Sequence, residues 1–173
     1  MKDRWALCAL GGWLMGSVIM FVVATRNFRL VDELLRASPN ASFQALVAQT
    51  GAPAIRDLLR YLSSELNREY FRLWNLTQLA LGVLAAWLLA HASERRARRL
   101  VLAALALVAV LLAGLTPPII SVGRSLDFVP RDPPPPALAT FWPLHIGYTV
   151  LDLAKTVLIG LAAYWTVRSA KRD

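Results

Sequence analysis

A chain of 173 residues is long enough for one domain, and its apolar fraction of 57% exceeds the roughly 45–50% of soluble domains and is gathered in blocks. The net charge of +8 is carried almost wholly by arginines at the ends of those blocks, which fits lipid headgroups and membrane topology and argues against nucleic acid as a partner. One cysteine, Cys8, excludes an internal disulfide and a thiolate metal cluster.

The first apolar block runs over about 5–25, close to the length of about 20 residues that crosses a bilayer. A cleaved signal peptide is the alternative reading. A retained helix is favoured because the stretch is long, carries Trp13 and ends in Val22-Val23-Ala24, a poor cleavage site, while Cys8 follows Leu7 rather than a small residue. Ala9, Gly12 and Gly16 share one arc of this helix and form an expected packing seam.

The connection that follows is broken at Ser38-Pro39-Asn40 and Thr50-Gly51-Ala52-Pro53. Over about 53–69 the pattern is helical again: Ile55, Leu58, Leu59, Leu62, Leu66, Tyr70 and Leu73 on one arc, Arg56, Arg60, Ser64, Asn67 and Arg68 on the other. Glu65–Arg68 and Glu69–Arg72 support the polar arc as i,i+3 pairs. An amphipathic helix is expected here, lying along the outer interface or capping the bundle before it runs into the second span. The expected fold is therefore all-α, an integral membrane four-helix bundle in a single membrane domain, with this extra helix at its outer interface.

The second span is expected over about 70–91, with Asn75, Gln78, Gly82, Ala85 and Ala86 on one arc. The third, about 99–115, has Ala106, Ala109 and Ala113 as its small face, and a Pro-rich outer loop over about 116–140 follows, with a short polyproline spacer at Pro133 to Pro136. The fourth span covers about 141–167. Lys2 and Arg4, then Arg95, Arg96, Arg98 and Arg99, then Arg168, Lys171 and Arg172 fall on one side of four spans, so both termini are expected to be cytoplasmic, in a bacterial-type inner membrane.

The fourth span holds the chemistry. His145, Tyr148, Thr149, Asp152, Lys155 and Thr156 fall within one arc of about 120° at 100° per residue, and such a polar stripe must face the bundle interior because lipid offers it no partner. A charge at bilayer depth costs roughly 2.5–3.5 kcal/mol on insertion scales and marks a pathway, a buried pair or a ligand site. The candidate lining of such a site is Asp152, Lys155, His145 and Tyr148, with Asn75 and Gln78 facing them from the second span. A structural pair, in which Asp152 and Lys155 neutralise each other and fix the fourth span against the second, is the other reading.

His91 and His145 stand about a bilayer apart and cannot share a haem, no third ligand joins His145 and Asp152 unless Asp127 or Asp132 approaches, and no phosphate loop, nucleophile elbow or protease motif is present. No catalytic residue, metal or cofactor is therefore assigned, and an enzyme is not expected. Two functions remain: binding or passing a polar solute, ion or proton through a cleft lined by the fourth span, or serving as an accessory or scaffolding subunit of a larger membrane complex. The partners expected are the lipid bilayer and other membrane subunits or a second copy.

Several short stretches carry a likeness. Gly12-Trp13-Leu14-Met15-Gly16 with Phe21-Val22-Val23-Ala24, then Phe71-Arg72-Leu73-Trp74-Asn75, Pro118-Ile119-Ile120 with Arg124, and Phe141-Trp142-Pro143-Leu144-His145 followed by Tyr148 and Asp152 span most of the chain. Together they resemble a family of four-helix bacterial membrane proteins of unknown function related to transmembrane protein 205. Asp152, where that pattern has Asn, and Lys155 one turn on depart from it. The resemblance implies a multi-pass membrane protein and no activity.

Overall fold

The structure, a computed structural model, describes residues 2–90 and 95–170. His91, Lys171 and Arg172 lie outside the described residues. Among the described residues six α-helices follow one another: α1 (Lys2–Ala37), α2 (Ala41–Thr50), α3 (Ala52–Ala90), α4 (Arg95–Ala109), α5 (Thr116–Arg124) and α6 (Ala137–Ala170), with a π-helical turn, Val110–Leu115, joining α4 to α5. Four stretches of the described residues are long and apolar enough to cross a membrane: Arg4–Ala37, Ala52–Ala90, Arg95–Arg124 and Ala137–Ala170, consistent with a multi-pass membrane protein.

The long helices close a ring in the order α1, α3, α4, α6, so that α3 faces α6 across its diagonal. The core is built from Ala6, Ala9, Leu10 and Trp13 of α1, Trp74, Ala85, Leu88 and Leu89 of α3, Ala97, Val101, Ala104 and Val108 of α4, and Ile159 and Ala162 of α6. Phe21, Leu76, Trp87, Leu102, Val150 and Leu153 are exposed, whereas Asn75, Gln78 and Lys155 are fully buried. Apolar outside and polar inside is the pattern of a chain whose surroundings cannot hydrogen-bond.

The helices differ from the expected bounds in several places. The amphipathic segment 53–69 is helical and runs into the second span without a break, as the first half of α3. No Gly or Pro stands between Pro53 and Gly82, so nothing breaks the helix. α1 likewise continues past Thr25 to Ala37. At about 1.5 Å per residue the two helices are about 54 and 58 Å long, against a hydrocarbon core of about 30 Å, so they extend together beyond the ring as a helical hairpin. α2 caps its tip, held at its start by Asn40, whose side chain accepts from the Phe43 amide at 2.9 Å, and ended by Gly51 at φ +94°, a value that favours glycine.

The expected Pro-rich loop shrinks to residues 125–136, because α5 continues the third span through Pro117 and Pro118. A proline within a helix removes a donor and crowds the carbonyl one turn back. The π turn widens the backbone just before them, and Thr116 closes it by donating its hydroxyl to the Leu111 carbonyl at 2.7 Å. Pro135 and Pro136 form no isolated spacer; their carbonyls accept from Leu138 and Ala139 at the start of α6, each at 3.0 Å.

The expected seams also shift. Gly12 is exposed, and the buried line of α1 is Ala6, Leu10, Trp13 and Ser17. Ala106, Ala109 and Ala113 face outward, and Ala97, Val101, Ala104 and Val108 face in. Gly82 and Gly16 are the close approaches: a Cβ on Gly82 would lie 2.7 Å from the Trp13 ring, and one on Gly16 would overlap the ring of Trp74. Gly82→Ala should therefore cost about 1–3 kcal/mol by overpacking, while Gly12→Ala, with open space around it, should stabilise by up to about 1 kcal/mol. Thermal unfolding of the two variants in detergent checks the opposite signs.

Candidate functional site

α6 crosses the ring with Lys155, Ile159, Ala162 and Thr166 turned inward. Lys155 is 0% exposed and donates from Nζ to Asp152 Oδ1 at 2.5 Å and to Gln78 Oε1 at 2.8 Å. The second bond reaches across the diagonal, from α6 to α3. Lys155 carries donors only, so it fixes the orientation of everything beyond it. Gln78 must present oxygen to the ammonium, and its amide nitrogen then donates to Asn75 Oδ1 at 2.8 Å. That leaves Asn75 to donate to Thr116 Oγ1 at 3.4 Å, and Thr116 to donate onward to the Leu111 carbonyl. Trp13 adds a second donor to Gln78 Oε1 at 3.4 Å, and the Trp74 ring centroid lies 6.0 Å from Nζ. The result is a one-way chain of donors from α6 through α3 to the π turn, with α1 joined from the side.

Of the six site residues read from the sequence, the structure joins four. Asp152, Lys155, Gln78 and Asn75 form the chain. Tyr148 lies one turn from Asp152 on the same helix, packs edge-on to Phe71 at 5.6 Å, and has a buried hydroxyl without a partner among the described residues. His145 is exposed, stacked on Phe141 at 5.6 Å and edge-on to Trp142 at 6.0 Å, and takes no part in the network. The arc of α6 turns gradually out of the bundle toward the hairpin end, so sharing that arc did not bring His145 inside.

The network is packed dry at its deep end, since Lys155, Asn75 and Gln78 are all fully buried, while Asp152 is 29% exposed. Two open, shallow hollows lie away from the network, one against the outer face of α3 at Leu76, Val83 and Trp87, the other at the hairpin tip between Leu34 and Phe43.

A second buried charge, at the base of the hairpin, was missed. Arg68 belongs to the polar arc expected to face solvent, yet it is buried. Its guanidinium donates to Glu65 at 2.5 Å and to both oxygens of Asp127 at 3.0 and 2.9 Å, and so fastens the 125–136 segment to α3. Asp127 thus pairs with Arg68 and does not approach His145 or Asp152 as a ligand. Among the described residues no three His, Cys, Asp or Glu side chains converge. The i,i+3 spacing of Glu65 and Arg68 pointed to that pair, but nothing in the sequence placed Asp127 beside them. Thr116 carried a faint signal, a hydroxyl directly before two prolines.

Fold and site together define a bundle of four long apolar helices held across its centre by a buried charge–amide network. Comparison with known proteins adds no name to that class: no family model, no curated protein and no solved structure matches the chain.

Proposed function

We propose that this chain is a non-enzymatic accessory or scaffolding subunit of a membrane complex, anchored by its four-helix bundle and presenting the α1–α3 hairpin to a partner subunit or a second copy. The observation that carries the reading is the direction in which the hairpin faces. Part of its polar side is turned inward: Asn27 donates to Asn67 at 2.6 Å, Asn67 to the Ala24 carbonyl at 3.2 Å, and Ser63 to the Asn27 carbonyl at 3.4 Å, while Arg56 and Arg60 stay exposed. An apolar stripe is turned out: Leu58, Leu62 and Leu66, at i,i+4 spacing, are 54%, 52% and 38% exposed beside the Tyr61–Phe128 ring pair. A stripe at this spacing is the kind of surface an apolar partner helix covers. A dry, mutually satisfied network in the bundle also suits a structural element better than a conduit.

The reading includes both termini in the cytoplasm of a bacterial-type inner membrane, no nucleic-acid partner, and membership of the transmembrane protein 205-related family suggested by the sequence. Leu58→Ser/Leu62→Ser/Leu66→Ser should leave the unfolding transition of the purified protein in place and abolish co-purification of a partner, or self-association, in mild detergent. A wild-type chain that purifies as a lone monomer sinks the reading.

One observation favours the second reading, a route or site for a proton or small polar solute: the unpartnered Tyr148 hydroxyl one turn from the partly exposed Asp152. Proton or solute flux in reconstituted vesicles that is unchanged by Tyr148→Phe and Asp152→Asn rules it out.

A further inference from the structure

Among the described residues, positive charge gathers at the end of the bundle where α1 begins and α6 finishes: Arg4, Arg95, Arg96, Arg98, Arg99 and Arg168 stand there. The charge meets an aromatic platform where α4 and α6 pack together. The guanidinium of Arg96, from α4, lies 4.7 Å from the Trp165 ring centroid, and that of Arg168, from α6, lies 5.3 Å from the same centroid. Arg168 also reaches the Tyr164 hydroxyl at 3.4 Å, and Tyr164 stands edge-on to Trp165 at 5.5 Å. Arg99 follows Arg96 by three residues and is exposed, as are Arg95 and Arg98. Among the described residues none of Arg95, Arg98, Arg99 and Arg168 has a carboxylate partner.

We propose that the α4–α6 seam at Trp165 is a binding site for the headgroup of an anionic phospholipid, its phosphodiester bridging Arg96 and Arg168, with Arg99 as a further cation and the indole as a floor beneath the headgroup. A phosphodiester at this seam meets guanidiniums from two helices beside one ring and gains charge-assisted contacts with them. Guanidinium suits the role because its planar fork pairs with phosphate oxygens while its face rests on an aromatic ring. Trp and Tyr settle at headgroup level, and basic clusters at the ends of spans select acidic lipid. The apolar faces of α4 and α6 below the seam, with Leu102, Val157 and Leu161 exposed, give acyl chains somewhere to lie, which a soluble phosphate would not use.

The test is native mass spectrometry of the full chain, delipidated in detergent and titrated with phosphatidylglycerol, phosphatidylcholine or inorganic phosphate. The expected result is retention of phosphatidylglycerol in clear preference to phosphatidylcholine. The preference should fall about fivefold in Arg168→Gln and further in Arg96→Gln/Arg168→Gln, while Arg72→Gln at the hairpin end leaves it unchanged. Arg168→Lys keeps the charge but not the stacked fork and should lose most of the preference. Equal retention of the two lipids, equal binding of inorganic phosphate, or a double variant that binds as wild type overturns the proposal. Because Arg96 and Arg168 are exposed, an unfolding midpoint unchanged from wild type is expected and separates lost binding from lost fold.

Discussion

Asp152→Ala should destabilise the bundle by about 3–5 kcal/mol, the cost of leaving one partner of a buried ion pair uncompensated. The reason lies in the geometry of Lys155. Its ammonium is fully buried, reaches Asp152 Oδ1 at 2.5 Å and Gln78 Oε1 at 2.8 Å, and without the carboxylate it would face one neutral amide and a tryptophan ring. The loss should be asymmetric. Lys155→Met fills a similar volume and removes the charge; Asp152, being 29% exposed, is left less isolated, and Gln78 Oε1 retains its bond from Trp13. That single change should cost about 1–3 kcal/mol. The double variant Asp152→Ala/Lys155→Met should recover much of what Asp152→Ala loses, with a coupling of about 0.5–3 kcal/mol. Thermal or denaturant unfolding of the four proteins in one detergent measures all three quantities. An Asp152→Ala protein as stable as wild type would show that the pair does not hold α6 to α3.

The second large effect is expected at Arg68. Arg68→Ala leaves Asp127 and Glu65 without the guanidinium that joins them, and both are shielded, with side chains 15% and 31% exposed. A loss of about 2–4 kcal/mol is expected, below the limit for a fully enclosed pair because Arg124 still approaches Glu65 at 3.8 Å. The change should also have a local signature. Segment 125–136 is tied to α3 by Arg68–Asp127 and by the contact of Phe128 with Tyr61 at 5.0 Å, whereas the bond from Arg131 to the Leu126 carbonyl lies within the segment. Arg68→Ala should therefore make the segment cleavable by protease at a concentration that spares wild type. Arg68→Lys should lie between, since an ammonium cannot present the same fork to Asp127 and Glu65 together. Equal cleavage of wild type and Arg68→Ala would show that the salt bridge does not fasten the segment.

The sequence by itself determined the spans and the central pair. Apolar runs of this length leave few alternatives to a helix, because an unsatisfied backbone is too costly without water, and the four stretches stand where the blocks of apolar residues do. Lys155 and Asp152 were legible for the same reason, two charges three residues apart in an otherwise apolar run, and the matching arc of Asn75, Gln78, Gly82 and Ala85 followed from the 3.6-residue period. Periodicity reports which residues share a face, not what lies opposite that face. So it placed His145 on the stripe and could not show that α6 turns that part outward. It placed Arg68 on the polar arc with Arg56 and Arg60, and Leu58, Leu62 and Leu66 on the apolar arc with Ile55, but it could not show that the pairing of α3 with the continuation of α1 buries Arg68 and Ile55 and leaves the three leucines uncovered. Hydropathy marks where a helix leaves an apolar layer, not where it ends, which is why α1 and α3 run well past the predicted limits. Trp13, Thr116 and Asp127 came to their partners from 65, 41 and 59 residues away. Contacts at that separation are fixed by the closure of the ring and the widened turn before Pro117, and only the tertiary structure decides them.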